Sequence, residues 1–192
     1  MPRRTLTATG VALAMFATAL AGASPAAAYS HLCGKFKGSN PAISYRYYSV
    51  TDSYRTAFGV AQSDWDAESA PGYFTYAPSE GDPGIEVYDG SYAWSHWAET
   101  NYSGCVLGIW TWNEVKVKFN TRTMSGLSAR QKRIVAVHEL GHAYGLGHTS
   151  LGCSSPGPSV MSNGSGKFGC SGTAPWSDDV NGVKAKYWEG WD

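Results

Sequence analysis

The sequence of 192 residues predicts an α+β fold built around a single core. Five short segments rich in aromatic and β-branched residues indicate strands. Longer segments with apolar residues at helical spacing indicate helices. The part of the chain after residue 28 has the length of one domain, which is enough to bury one core.

An irregular arm is expected over residues 29–41. The first strand is predicted over residues 43–50, where the residues alternate and are rich in β-formers. A helix is predicted over residues 54–69, because apolar residues recur there at helical spacing. Its aromatic stripe, Phe58 and Trp65, is expected to pack on the sheet.

Four more strands are predicted after this helix. Turn-forming residues between Pro78 and Pro83 separate the first two of them. In the last one, Val115, Val117 and Phe119 alternate with charged residues, as in a strand with one face in water. These strands are predicted over 73–76, 84–88, 94–102 and 114–119.

The main helix is predicted to begin at Ser128. Ser128 and Gln131 have the spacing of a capping box, in which each side chain bonds the other residue's backbone. Gly145 can adopt a positive φ without a Cβ clash, so the helix is expected to end there and the chain to fold back. Residues 152–173, rich in Gly, Ser and Pro, indicate a loop.

An eleven-residue stretch that begins at His138 reads H-E-x-x-H-x-x-G-x-x-H. On a helix, His138 and His142 lie one turn apart on the same face, which suits two nitrogens binding one Zn²⁺. The return of the chain after the helix brings His148 to the same ion. Three protein ligands leave the fourth position for water, as in a catalytic zinc site. Glu139 is placed to contact that water and to act as general base in hydrolysis.

The long motif resembles that of the metzincin zinc peptidases, in which a Met-containing turn follows the third histidine. Met161 is the candidate for that turn, and residues 176–187 are similar to the acidic, Gly-containing last helix of the matrixin branch. The resemblance extends from about residue 41 to the C-terminus. It implies a metzincin-like catalytic domain with a twisted mixed sheet of about five strands, a long active-site helix, and a small C-terminal subdomain with a Met-turn and a final helix.

The resemblance also implies a secreted zinc-dependent endopeptidase that holds one catalytic ion and cleaves proteins or peptides. The chain departs from the matrixin pattern at residues 162–166, which read Ser-Asn-Gly-Ser-Gly where matrixins usually carry Pro-x-Tyr. It also lacks an evident His- and Asp-rich loop for structural zinc and calcium. Calcium is compatible with the family, but no residue pattern here indicates a calcium site.

The chain carries four cysteines, Cys33, Cys105, Cys153 and Cys170. In a secreted protein, an even number predicts two disulfides, here with three possible pairings. A Cys153–Cys170 bond would close the loop that carries Met161. A Cys33–Cys105 bond would then tie the N-terminal arm to the middle of the domain.

Residues 1–28 are predicted to be a secretory signal, with a basic start, an apolar run over residues 11–21 and small residues up to Ala28. The apolar run is shorter than the roughly 18 residues that a membrane anchor needs. Cleavage after Ala28 would leave residues 29–192 as a secreted, extracellular metallopeptidase domain that is not attached to a membrane.

The resemblance suggests two roles for the N-terminal arm. Matrixin propeptides cap the zinc with a cysteine that precedes glycine, as Cys33 precedes Gly34, but the flanking Arg and Pro-x-Asp are missing here. In active matrixins the new terminal ammonium commonly pairs with an aspartate of the last helix, a place that Asp178 and Asp179 occupy. With Tyr29 as the terminus, no long propeptide would remain and the enzyme would emerge active.

Alternative functions differ in substrate or in class. With 15 basic and 15 acidic residues and no basic tract, the chain has no signature of nucleic-acid binding. We also expect the protein to be a monomer. A zinc amidase that acts on cell-wall peptides would use the same site. A glycan- or surface-binding module could use the clustered Trp94, Trp97, Trp110 and Trp112, although Trp110 and Trp112 more simply fill one face of a strand.

If the protein is a peptidase, its substrate would extend along an edge strand, for which residues 97–100 are the candidate.

Overall fold

The computed structural model describes residues 29–79, 81, 83–111, 115–153 and 158–188. The predicted signal over residues 1–28 lies outside the described residues, as does Trp112. The helices are α1 Asp52–Asp66, α2 Thr121–Met124, α3 Ala129–Tyr144 and α4 Ser177–Trp188, with a 3₁₀ helix at Gly164–Gly169. The strands are β1 Ala42–Tyr48, β2 Tyr73–Tyr76, β3 Ile85–Gly90, β4 Ala98–Asn101, β5 Cys105–Val106, β6 Ile109–Trp110 and β7 Val115–Asn120.

Five strands form one mixed sheet in the order β2-β1-β3-β7-β4. The first four are parallel, and β4 runs antiparallel to β7 at the edge. Tyr45, Ile85 and Val115 lie side by side across three strands and are all buried. The prediction of an α+β fold with a mixed sheet of about five strands is therefore confirmed.

The opposite face of the sheet is polar, as the alternation in β7 predicted. Lys116 and Glu86 form an ion pair there at 3.1 Å. On the buried face, the ring of Phe58 in α1 lies 5.1 Å from that of Tyr45. Trp65 instead turns toward α3, where its Nε1 donates to the carbonyl of Val137 at 3.0 Å. The expected packing of the α1 aromatic stripe on the sheet thus applies to Phe58, whereas Trp65 joins α1 to α3.

The strand predicted over residues 94–102 is shorter in the structure, where it spans Ala98–Asn101. Side chains bind the carbonyls just before it, because Asn120 Nδ2 donates to Trp94 O at 2.9 Å and Arg122 Nε donates to Tyr92 O at 2.9 Å. Those carbonyls therefore accept hydrogen bonds from side chains and not from a neighbouring strand.

The hairpin β5–β6 and helix α2 were not predicted. Each hairpin strand has two residues, and the turn uses Leu107 and Gly108, both with positive φ. A two-residue turn of this kind normally carries Asn or Gly at its first position. Because Leu107 stands there, the sequence pattern did not indicate a hairpin. The predicted loop over residues 152–173 also contains the 3₁₀ helix.

Two disulfides, Cys33–Cys105 and Cys153–Cys170, join the four cysteines. The first ties the N-terminal arm to the β5–β6 hairpin, and the second closes the segment around Met161. Since Cys33 is bonded to Cys105, its thiol is not available to cap a metal, and the latency switch is excluded for this form of the protein. No helix in the described part of the chain is long and apolar enough to cross a membrane.

Candidate metal centre

The side chains of His138, His142 and His148 meet at one point. Their Nε2 atoms are separated by 3.1 Å for the 138–142 pair, 3.2 Å for the 138–148 pair and 3.1 Å for the 142–148 pair. Nitrogens about 2.0–2.1 Å from one tetrahedral Zn²⁺ lie roughly 3.3–3.4 Å apart, within about 0.3 Å of these separations. The three histidines therefore fit the ligand spacing of zinc, and among the described residues they form the one cluster of this kind.

Backbone carbonyls determine which ring nitrogens face that point. His138 Nδ1 lies 2.6 Å from Val160 O, and His142 Nδ1 lies 2.8 Å from Leu146 O. A carbonyl can only accept, so each Nδ1 carries the proton and each Nε2 presents a lone pair. Burial lowers the pKa of His142 and of His148 to about 4, which keeps these rings neutral at pH 7. Converging lone pairs repel one another unless a cation lies between them.

The residues at the two ends of α3 explain why the helix that carries His138 and His142 begins and ends where it does. The structure has the predicted capping box between Ser128 and Gln131, and α3 ends at Gly145 with φ of 99°. A Cβ at Gly145 would lie 2.3 Å from Gly34 O, so both the backbone conformation and the close approach of the arm require glycine.

The N-terminal arm holds the segment that carries His148. Leu32 N donates to Gly145 O at 2.8 Å, and Gly147 N donates to Ser30 O at 2.8 Å. Ser30 Oγ also donates to the carbonyl of His148 at 2.7 Å. The third histidine is therefore positioned by residues more than a hundred positions earlier in the chain, a contact that the sequence did not indicate.

Met161 lies against α3 between the two helical histidines. It is 2% exposed, and a Cβ at Gly141 would lie 2.3 Å from its sulfur. Gly141 is thus the position in the motif that admits the methionine. Val160, the residue before Met161, provides the carbonyl that orients His138.

Asp179 of α4 supports the segment that carries Met161. Its carboxylate accepts hydrogen bonds from Ser159 Oγ, from Val160 N at 3.0 Å and from Trp176 N at 2.8 Å. Asp179 thus holds the loop that carries Met161. Pairing of a new N-terminal ammonium with Asp178 or Asp179 stays a prediction.

Glu139 is 4% exposed and accepts a hydrogen bond from Thr100 Oγ1 at 2.7 Å. Burial raises its pKa to about 7, against the opposing effects of the Thr100 hydrogen bond and the charge of Lys167. Thr100 belongs to the edge strand β4, within the segment predicted to meet substrate. No sequence pattern indicated the Thr100 hydroxyl itself, because Thr100 lies 39 positions from Glu139 in the chain.

These groups line one pocket of about 640 Å³. One wall is the segment from Ser95 to Tyr102, and the base is α3 with its histidines and Glu139. Asn163, Gly164 and Lys167 form the facing wall. The arrangement places three histidines that could bind a metal ion and a buried carboxylate together in one pocket.

The remaining predicted residues are engaged elsewhere. Trp110 is 7% exposed and donates to Ala143 O at 2.9 Å, so it belongs to the core. Trp97 packs against the ring of Phe168 at 4.7 Å, and Trp94 stacks on Tyr92 at 4.1 Å. These contacts do not favour a glycan-binding platform.

No protein-family model matches this chain, and no curated protein matches it. Among solved structures, two of myroilysin are similar to it. One has 23% sequence identity and a TM-score of 0.44, with 59% of this chain and 46% of that one covered. The other has 24% identity and a TM-score of 0.42, with 59% and 44% covered. The chain thus matches less than half the length of these structures, and its function is inferred from the geometry of the three histidines and Glu139.

Proposed function

We propose that residues 29–192 form a secreted zinc-dependent endopeptidase, and that residues 1–28 are its signal. The observation that supports this most is the convergence of three neutral histidine nitrogens beside the buried carboxylate of Glu139, in one open pocket. A structural zinc site would be closed by a fourth protein ligand. Here the described residues supply three, and the fourth side faces the pocket.

His138, His142 and His148 would hold the ion. When bound, Zn²⁺ supplies a Lewis acid that polarises a carbonyl oxygen and makes water acidic enough to ionise near neutral pH. Glu139 accepts the proton of the attacking water and returns it to the leaving amine. Thr100 holds one carboxylate oxygen of Glu139, so that the other can face the water.

The edge strand β4 would bind the substrate backbone. It pairs with β7 on one side, and within the described part of the chain no strand pairs with its other side. An extended peptide can add to such an edge through main-chain hydrogen bonds. Because β4 also carries Thr100, a peptide bound there would pass close to Glu139.

The test uses purified residues 29–192. Metal analysis is expected to give one zinc per chain, and hydrolysis of a quenched fluorescent peptide should be lost with a chelator and restored by zinc. Glu139→Gln should retain zinc but lower kcat by at least about a hundredfold, the usual contribution of a general base. His148→Ala should lose both zinc and activity. Glu68→Gln, at an exposed position beyond α1, is the matched control.

Wild-type turnover by zinc-loaded Glu139→Gln would contradict the assignment, as would a zinc-loaded wild type that cleaves no peptide. Cell-wall peptides in the same assay test the amidase alternative. Cleavage of those alone would replace endopeptidase by amidase and leave the roles of the site residues unchanged.

A further inference from the structure

Lys167 is a buried lysine in the wall of the candidate active-site pocket. It is 5% exposed, lies in the 3₁₀ helix and lines the same pocket as Glu139 and the three histidines. Its Nζ donates to Ser162 O at 2.7 Å. Burying an ammonium group is unfavourable unless charged or polar groups compensate it.

The ammonium group of Lys167 is only partly satisfied. It carries three N–H donors, and Ser162 O is its one hydrogen-bond acceptor among the residues that the structure describes. No carboxylate in that part of the chain lies within ion-pair distance of it. Of the two carboxylates that line the pocket, Glu99 lies 3.3 Å from His96 Nε2, and Glu139 bonds Thr100. The ring of Trp97 lies under the ammonium, with its centroid 5.9 Å from Nζ, but two N–H donors have no acceptor among the described residues.

The backbone around Lys167 is held in place on both sides. The Cys153–Cys170 disulfide closes the segment. From α3, Arg130 donates to the carbonyl of Phe168 at 2.9 Å and to those of Cys170 and Gly172. The ring of Phe168 also packs on that of Trp97, with the ring centroids 4.7 Å apart. A cation on such a fixed segment is preorganised for recognition, because little ordering remains to be done on binding.

A purely structural role accounts for less of this arrangement. The hydrogen bond to Ser162 O could be made by a neutral donor, without the unfavourable burial of a charge. Burial lowers the pKa of Lys167 to about 8, so the group still carries its charge at pH 7. The Trp97 ring, whose centroid lies 5.9 Å from Nζ, and the charge of Glu139 offset part of this cost, but neither accepts a hydrogen bond from Nζ.

We propose that Lys167 binds a carboxylate of the substrate close to the scissile bond and makes the site selective for acidic peptides. The carboxylate can come from an Asp or Glu side chain or from the C-terminus of a short peptide, since both present the same acceptor. The proposal rests on the proposed peptidase function for the identity of the substrate. The binding step itself requires no turnover.

Selectivity is measured with fluorogenic peptides of one neutral sequence, in which a single Glu is moved one position at a time. Each has a Gln counterpart, and each is made with a free and with an amidated C-terminus. At one position, kcat/KM for Glu should exceed that for Gln by about tenfold, the usual effect of a charge-assisted hydrogen bond. A preference for the free C-terminus instead would identify the terminal carboxylate as the ligand. Equal rates in every pair would overturn the proposal.

Variants assign the preference to Lys167. Lys167→Met should bring the Glu/Gln ratio close to one, whereas Lys167→Arg should retain a preference. Because Lys167 also acts on the charge of Glu139, rates on all peptides are expected to change in Lys167→Met, and the ratio removes this common effect. Lys132→Met, which makes the same charge change at a position of α3 that does not line the pocket, is the control and should keep the wild-type ratio. An unchanged ratio in folded Lys167→Met would refute the assignment.

A binding measurement separates this proposal from the proposed function. Fluorescence anisotropy of labelled peptides on Glu139→Gln should show tighter binding of the Glu peptide than of the Gln peptide, and Lys167→Met in that background should remove the difference. If the wild type cleaves no peptide but this difference is present, peptidase function fails and carboxylate binding stands. If the wild type cleaves Glu and Gln peptides equally well, the function stands and the role of Lys167 fails.

Discussion

Glu139 depends on neighbours that differ in kind. It is buried next to His138, and a threonine hydroxyl from another element determines its orientation. Lys167 contributes a charge from the opposite wall and opposes the rise in the pKa of Glu139. Each neighbour acts through a different physical effect, so single substitutions can separate them.

Thr100→Val removes the hydroxyl and keeps the shape of the side chain. Without the hydrogen bond, the Glu139 carboxylate can rotate, and misplacement of a catalytic group lowers turnover sharply. We expect kcat to fall about tenfold or more, with zinc content and melting temperature unchanged. Steady-state kinetics check this, with the exposed Thr75→Val on β2 as control. Equal kcat for both variants would mean that Thr100 does not position Glu139.

The buried charge of Lys167 predicts a pH dependence of stability. Its pKa is lowered from 10.5 to about 8 in the folded protein, so between these values the unfolded chain binds more protons than the folded one. The free energy of unfolding, compared with that of Lys167→Met, should therefore rise with pH above about 8, by up to about 1.4 kcal/mol per unit. Urea unfolding of the metal-free proteins at pH 7 to 10 measures the difference. A constant difference would show that Lys167 is not buried as a cation.

At the scale of elements, the site is made where α3 meets three segments from distant parts of the chain. The Met161 segment packs on its Gly141, the N-terminal arm holds the return to His148, and β4 supplies Thr100. Helix α4 contributes indirectly, because Asp179 holds the backbone of Val160, which in turn orients His138. The helix presents His138 and His142, and these contacts set the directions of the three histidine rings.

Gly141→Ala tests the contact between α3 and Met161. Alanine in place of glycine favours a helix by roughly 1 kcal/mol, but its Cβ would lie 2.3 Å from the Met161 sulfur. Overpacking of this kind destabilises by about 1–3 kcal/mol, so we expect a net loss of stability and weaker zinc binding. Thermal unfolding gives the comparison, and Gly126→Ala, where a Cβ meets no atom within 4 Å, is the control. A stabilised Gly141→Ala would show that the methionine moves aside freely.

Removal of residues 29–32 tests the contribution of the arm. This deletion eliminates the backbone hydrogen bonds to Gly145 and Gly147 and the bond from Ser30 to His148, but keeps both disulfides. Without these bonds the segment that carries His148 is no longer held in place. Zinc affinity should then fall about tenfold, which is the usual effect of removing a group that orients a metal ligand. Competition with a chromophoric chelator measures it. Ser30→Ala should have a smaller effect, and Ser69→Ala none. Unchanged affinity after the deletion would assign the arm no role at the site.

At the scale of the whole molecule, the core and the metal centre are separable. The sheet, α1 and α3 bury a continuous set of apolar side chains that includes none of the three histidines. Both disulfides close segments around the pocket without using metal ligands. We therefore expect the proposed zinc ion to add stability to a fold that forms without it.

Chelation should accordingly lower the melting temperature and leave the far-UV circular dichroism at 25 °C unchanged. A ligand present at a thousandfold its Kd stabilises by about 4 kcal/mol, which corresponds to roughly 10 °C for a chain of this size. Thermal scans with chelator, with added zinc and with added magnesium provide the measurement and its control. Unfolding of the metal-free protein at 25 °C would instead make the ion structural.

Features that depend on nearby residues could be predicted from the amino-acid sequence. The capping box of α3, its end at Gly145, the two ligands one turn apart and the alternation in β7 follow from helix and strand periods and from backbone sterics over a few positions. The five strands of the sheet could be predicted for the same reason, although β4 came out shorter than expected. Only the tertiary structure decided that Thr100 bonds Glu139, that Asp179 holds the Val160 segment, that Ser30 reaches His148, and that Lys167 is buried in the pocket wall. These residues are of common types and belong to no local sequence pattern. Their roles arise only when packing of the apolar core brings distant segments of the chain together.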